Sequence, residues 1–221
     1  SSAPWHWWLA FYAAGFLNLP VYWRRFEQLH QLSDGLNALL RVGLEATLVC
    51  AVSCLFIGII QVLGQWMAKL LSSVFLIASV VASYYMTFFQ VVIGFGVVQA
   101  VLTTDVDLSK ESVGFGLVAW VSAFAFPWLW MIWRSKPVFN RWRDRVGSFV
   151  LVIGVAAVLF ALSYIALRQW DAPNTEAPDS VMIKPEVLVA HTYVPSNWLA
   201  GLAMSLSNDW SQWRNQKSLR N

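Results

Sequence analysis

Apolar residues run along this chain in long blocks, and polar residues gather between them. A helix needs about 20 residues to cross a hydrocarbon layer. Five blocks meet that length: residues 5–23, 36–63, 70–89, 113–133 and 146–167. Aromatic residues flank them. Trp5, Trp7 and Trp8 open the first block, Tyr22 and Trp23 close it, and Tyr84, Tyr85, Phe88 and Phe89 form a belt at the end of the third. Indole and phenol rings prefer the boundary between hydrocarbon and water, so such belts mark where helices leave the layer. The pattern shows no internal repeat. It predicts an all-α, polytopic membrane protein with five transmembrane helices.

The intervals carry their own signals. Residues 90–99 contain Gly94 and Gly96, which weaken a continuous helix. A break is expected there, followed by a short helix on the outer membrane surface; a single long tilted helix is the alternative. Residues 168–195 hold Pro173, Pro178 and Pro185 among polar residues and read as an extended connector. A further helix begins near Pro195, with Ser196 or Asn197 as N-cap. Leu199, Leu202, Leu206, Trp210 and Trp213 then recur at spacings of three and four, beside Ser205, Asn208, Asp209 and Ser211. One apolar stripe of this kind predicts an amphipathic helix lying in the membrane interface, or one packed on a soluble domain. The chain thus divides into a membrane domain (1–167), a linker (168–195) and an interfacial helix (196–221). It opens on Ser1 and closes on Asn221 without a terminating element, and is expected to be a segment of a longer protein.

Composition sharpens the class. Hydrophobic residues make up 58% of the 221 and charged residues 12%, about half the charge of a soluble domain. The net charge of +3 comes with no basic stripe interleaved with aromatics, so nucleic acid is not an expected partner. Charge also orients the chain. Arg134, Lys136, Arg141, Arg143 and Arg145, against Asp144 alone, mark a cytoplasmic loop. The N-terminus is then cytoplasmic and the C-terminus periplasmic, with residues 103–111 outside. Arg24 and Arg25 fall outside too, against the rule.

The residues that bear chemistry are few. Residues 103–111 read Thr-Thr-Asp-Val-Asp-Leu-Ser-Lys-Glu, the densest group of hydroxyls and carboxylates in the chain. Thr104, Asp105, Asp107 and Glu111 are the candidate binding residues: a carboxylate pairs with an ammonium head group, and hydroxyls or Lys110 meet a phosphate. The bland alternative is a solvated loop. Arg41 and Glu45, four apart on one helix face, read as a structural ion pair, although an ionisable pair in a span is a functional hint. Asn18 and Pro20 cap or kink the first span. Cys50 and Cys54 read as packing residues. His6, His30 and His191 are scattered, so no metal site is expected in this segment. No nucleophile–base pair is visible; the segment binds or positions. A non-enzymatic scaffold and a small transporter remain open at this point, the latter weakened by the lack of a repeat.

Residues 82–89 (Ala-Ser-Tyr-Tyr-Met-Thr-Phe-Phe), 91–96 and 103–111 resemble the phosphoethanolamine transferases that decorate lipopolysaccharide. Residues 193–199 (Tyr-Val-Pro-Ser-Asn-Trp-Leu) are similar to the sequence that precedes their catalytic domain. With Asn18 and residues 22–26, the branch that modifies the Kdo sugar on lipid A is the nearest likeness. The resemblance implies a five-helix membrane domain followed by a periplasmic catalytic domain with zinc and a threonine nucleophile. That domain would take phosphoethanolamine from phosphatidylethanolamine and pass it to the lipopolysaccharide acceptor. Such ping-pong transfer replaces one hard displacement by two easier ones. In the family an Asn, a Thr and a Glu hold the donor head group from the membrane side. The Thr falls on Thr104, the Asn position on Ala100 and the Glu position on Leu108, which makes Glu111 the replacement, with Asp105 and Asp107 in reserve. The resemblance therefore implies no catalytic residue and no cofactor within these residues, and zinc in the following domain.

Overall fold

The structure is a computed structural model, and it describes residues 5–31, 33–89, 114–135, 142–171, 192–205 and 207. Among these the only regular structure is helical: α1 (Trp5–Ala14), a 3-10 turn (Phe16–Asn18), α2 (Leu19–His30), α3 (Gly35–Val62), α4 (Gln65–Phe88), α5 (Phe115–Arg134), α6 (Trp142–Asp171) and α7 (196–205). The central helix is α3, on which α1, α2, α4 and α6 all pack, while α5 packs on α4.

Four of the helices, α3, α4, α5 and residues Phe149–Gln169 of α6, are long and apolar enough to cross a membrane. At 1.5 Å per residue, α6 is about 45 Å long and outreaches a hydrocarbon core of about 30 Å. The first of the five expected spans is corrected. Residues 5–23 do not form one helix but α1, the 3-10 turn and α2, the last extending to His30. The reason is local. Pro20 has no N–H to continue the helical ladder. Gly15 closes α1, its N–H donating to Phe11 O at 2.8 Å. The Asn18 amide then takes up the released carbonyls, Nδ2 donating to Ala13 O at 3.1 Å and Ala14 O at 2.8 Å.

Helices α3 and α4 form an antiparallel hairpin around Leu63 and Gly64. Gly64 has φ 102°, a left-handed conformation that costs a side-chain-bearing residue and suits glycine. Close packing relies on small side chains: Ala10, Ala13, Ala51, Ala68, Ser79 and Ala82 are all buried between helices. In lipid, where apolar burial alone drives little association, small residues let backbones approach and gain contact. Large apolar side chains such as Phe126, Trp130, Leu151 and Leu162 point outward from α5 and α6, as a lipid-facing surface requires.

The end of the bundle holding the start of α3 and the end of α4 is here termed the upper end. Tyr84 and Phe88 meet Trp120 there, at ring separations of 6.2 and 5.3 Å. A Cβ on Gly116 would stand 2.9 Å from Tyr84 Oη, so a larger residue there would make the Tyr84 ring shift. At the lower end Trp66 meets Trp133 edge-on at 6.0 Å, and the Arg134 guanidinium lies 4.9 Å from the Trp130 ring centre. Lys69 of α4 caps α5 at that end: Nζ donates to Trp133 O at 3.1 Å and Ser135 O at 2.9 Å, while Ser135 Oγ donates to Ile132 O at 2.7 Å. A cation at a helix C-terminus also favours the helix dipole. Lys69→Met is expected to cost about 1 kcal/mol, measured by denaturant unfolding in micelles.

Candidate functional site

The site builds from α2 and α3. In α2, Val21, Arg25 and Leu29 recur every fourth residue and form its buried stripe. This turns Arg25 inward toward α3, where Arg41 and Glu45 occupy one face a turn apart. Glu45 Oε1 lies 3.4 Å from both Arg41 Nε and Arg25 Nη2, and all three side chains are buried. Glu45 stands ten residues into α3, about 15 Å below the upper end. An ionised carboxylate at that depth is costly unless paired and hydrogen-bonded, and here it is both. Its other oxygen, Oε2, accepts a hydrogen bond from Tyr193 Oη.

Tyr193 belongs to a segment, residues 192–205, that returns from α6 into the bundle. The Val194 backbone is gripped by Asn18 in both directions: Nδ2 donates to Val194 O at 2.5 Å, and Val194 N–H donates to Oδ1 at 2.8 Å. The Tyr193 ring lies 5.0 Å from that of Tyr22. Further along, Asn197 Nδ2 approaches Met86 Sδ at 3.2 Å and Trp198 Nε1 donates to Ser79 Oγ at 3.3 Å. The Trp198 ring packs against Phe56 and Phe75, at 6.4 and 5.9 Å. Phe75 is 13 residues before the end of α4, so the segment reaches about 20 Å below the upper end. Non-helical backbone is tolerated at such depth because protein surrounds it and meets its polar groups.

Only the start of the expected interfacial helix (196–221) lies within the described residues: α7 begins at Ser196, and Tyr193, Val194, Ser196 and Asn197 are buried inside the bundle. Leu206, Trp210 and Trp213 of the expected stripe lie outside the described residues. The sequence missed Arg25 and Tyr193 as partners of the ion pair, and Asn18 as the residue that holds Val194. One signal pointed to Arg25: Arg24 and Arg25 break the charge rule in the expected orientation, and each has an internal partner. Arg24 Nη2 donates to Met86 O at 2.8 Å, capping the end of α4.

Thr104, Asp105, Asp107 and Glu111 lie outside the described residues, as do Gly94 and Gly96. The flanks of their interval, Phe89 and Gly114, stand at the upper end, where α5 begins beside Tyr84. The basic residue Arg134 stands at the opposite end of α5. Cys50 and Cys54 are half-buried free thiols. Among the described residues no three His, Cys, Asp or Glu side chains converge.

Fold and site together define a polytopic helical membrane domain whose chain folds back into its own bundle. The chain belongs to the family described as phosphoethanolamine transferase EptA/EptB, whose sequence pattern matches residues 48–172. It is 32% identical over 206 residues to the Kdo(2)-lipid A phosphoethanolamine 7''-transferases of Escherichia coli K12 and Salmonella typhimurium LT2, a match covering 89% of this chain and 36% of each relative. The chain thus spans little more than a third of those relatives. Its fold is shared with the integral membrane protein lipooligosaccharide phosphoethanolamine transferase A (EptA) from Neisseria meningitidis. There the TM-score is 0.73 at 22% identity, covering 96% of this chain and 37% of the other.

Proposed function

We propose that this chain is the membrane part of a phosphoethanolamine transferase of the bacterial inner membrane. The enzyme would move phosphoethanolamine from phosphatidylethanolamine to the Kdo/lipid A region of lipopolysaccharide. The membrane part anchors a downstream periplasmic catalytic domain and positions the donor lipid; the N-terminus is cytoplasmic and the C-terminus periplasmic. The observation that carries this reading is family membership over residues 48–172, joined to the placement of Phe89 and Gly114 at the end of the bundle opposite Arg134. That opposition supports an interval bearing Thr104 and Glu111 on the periplasmic side and a basic turn on the cytoplasmic side.

Within this reading, Thr104 hydrogen-bonds the donor's phosphate and Glu111 pairs with its ammonium, with Asp105 and Asp107 beside them. Both contacts are charge-assisted and orient the head group for displacement. Zinc, held by the downstream domain, would supply the activation of the nucleophile. The test is transfer by the full-length protein in vesicles containing phosphatidylethanolamine and a Kdo-lipid A acceptor. Thr104→Ala and Glu111→Ala are each expected to lower transfer about tenfold or more, through a raised KM for the donor lipid. Wild-type KM in both variants would remove the head-group role.

A further inference from the structure

We infer that residues 193–198 are a re-entrant latch that sets where the downstream chain leaves the membrane domain. The inference rests on the proposed presence of a catalytic domain after this chain. The latch has a polar half and an apolar half. Asn18 holds both polar groups of Val194, and Glu45 accepts from Tyr193. Trp198 then packs its ring against the stacked pair of Phe56 and Phe75 while its indole N–H reaches Ser79. The contacts come from α3, α4 and the turn before α2, so the latch is fixed to the whole upper half of the bundle. Charged and polar groups buried at this depth are costly, and here they are spent on one short stretch of chain that closes no span.

The consequence concerns tether length. With the latch seated, the last described anchor of the chain on the bundle is the latch with α7. With it released, the last described anchor is the end of α6 at Asp171. The tether to a downstream domain then lengthens by as much as residues 172–207, and a flexible chain of that length would span about 30 Å. The local concentration of a tethered domain at its target falls as the leash outgrows the span. Seating the latch keeps that domain near the end of the bundle where Phe89 and Gly114 stand.

This makes insertion and release interdependent. About 20 Gly and Ser residues inserted near residue 180 lie upstream of the latch and do not lengthen the working leash while it is seated. In the full-length protein in donor- and acceptor-containing vesicles, the insertion alone is expected to leave transfer within about twofold of wild type. The double variant Tyr193→Phe, Trp198→Ala is expected to lose about threefold or more, and adding the insertion to it should lose further. A parallel hydrogen-exchange measurement on residues 193–199 should show protection in wild type and insertion, and its loss in the double variant. An insertion that costs wild type as much as it costs the double variant would overturn the inference, as would unprotected amides in wild type. If wild type itself shows no transfer, the proposed enzymatic function fails, while the exchange measurement still decides whether the latch is seated.

Discussion

Replacing Glu45 by leucine is expected to destabilise the bundle by about 3–5 kcal/mol, the cost of stranding buried charge by removing one partner of an ion pair. The magnitude follows from convergence. One oxygen of Glu45 faces the guanidinium groups of Arg25 and Arg41, and the other accepts from Tyr193. Removing the carboxylate therefore deprives two cations and a phenol of a partner at once. Thermal unfolding in micelles, followed by tryptophan fluorescence, measures the loss. Combining Glu45→Leu with Arg25→Leu and Arg41→Leu should recover part of it, because the buried cations go too and effects within one network do not add. Equal stability of Glu45→Leu and wild type would mean that the cluster carries no energy.

The second large effect is expected at Asn18. Leucine is close to isosteric with asparagine but removes four hydrogen bonds, to the N–H and carbonyl of Val194 and to the carbonyls of Ala13 and Ala14, the last of which keeps the Tyr22 hydroxyl. Each unsatisfied buried group costs about 1–3 kcal/mol, although released carbonyls can share other donors, so a total near 3 kcal/mol is expected. Because two of the four groups belong to the returning segment, the damage should be local first. Amide exchange at Val194 should accelerate by about 100-fold, whereas amides in the middle of α3 should change far less. Uniform acceleration across α3 and the latch would contradict this local role.

Much of the helical frame was legible because a spanning helix needs only length and apolarity. The second span, read as 36–63, is α3 at Gly35–Val62. The fifth, read as 146–167, runs further at both ends as Trp142–Asp171, because the polar residues flanking a span are compatible with helix once it leaves the hydrocarbon. Asn18 and Pro20 marked a discontinuity in the first span, but periodicity alone could not say that the helix breaks there. The returning segment was not legible for a more general reason. A stretch with Leu and Trp suits lipid, an interface or a protein groove equally well, and the sequence does not say that Ser79 lies within reach of the Trp198 indole N–H. Arg41 and Glu45 were visible as neighbours on one helix, while Arg25 and Tyr193 joined them across 20 and 148 residues of chain, a distance no local pattern encodes. Arg24 and Arg25, which break the charge rule in the expected orientation, were the one clue, since a cation within a span needs an internal partner.

The clasp between Asn18 and Val194 bridges 176 positions. On a ribosome the early half of that clasp emerges on the order of 10 s or more before its mate, at ordinary rates of synthesis. Helices α1 to α4 are therefore made while one oxygen of Glu45 and part of the Asn18 amide still lack their final partners. Assembly of the bundle thus finishes from its tail, and a nascent chain halted before residue 193 would remain an open vessel however completely its helices had been threaded.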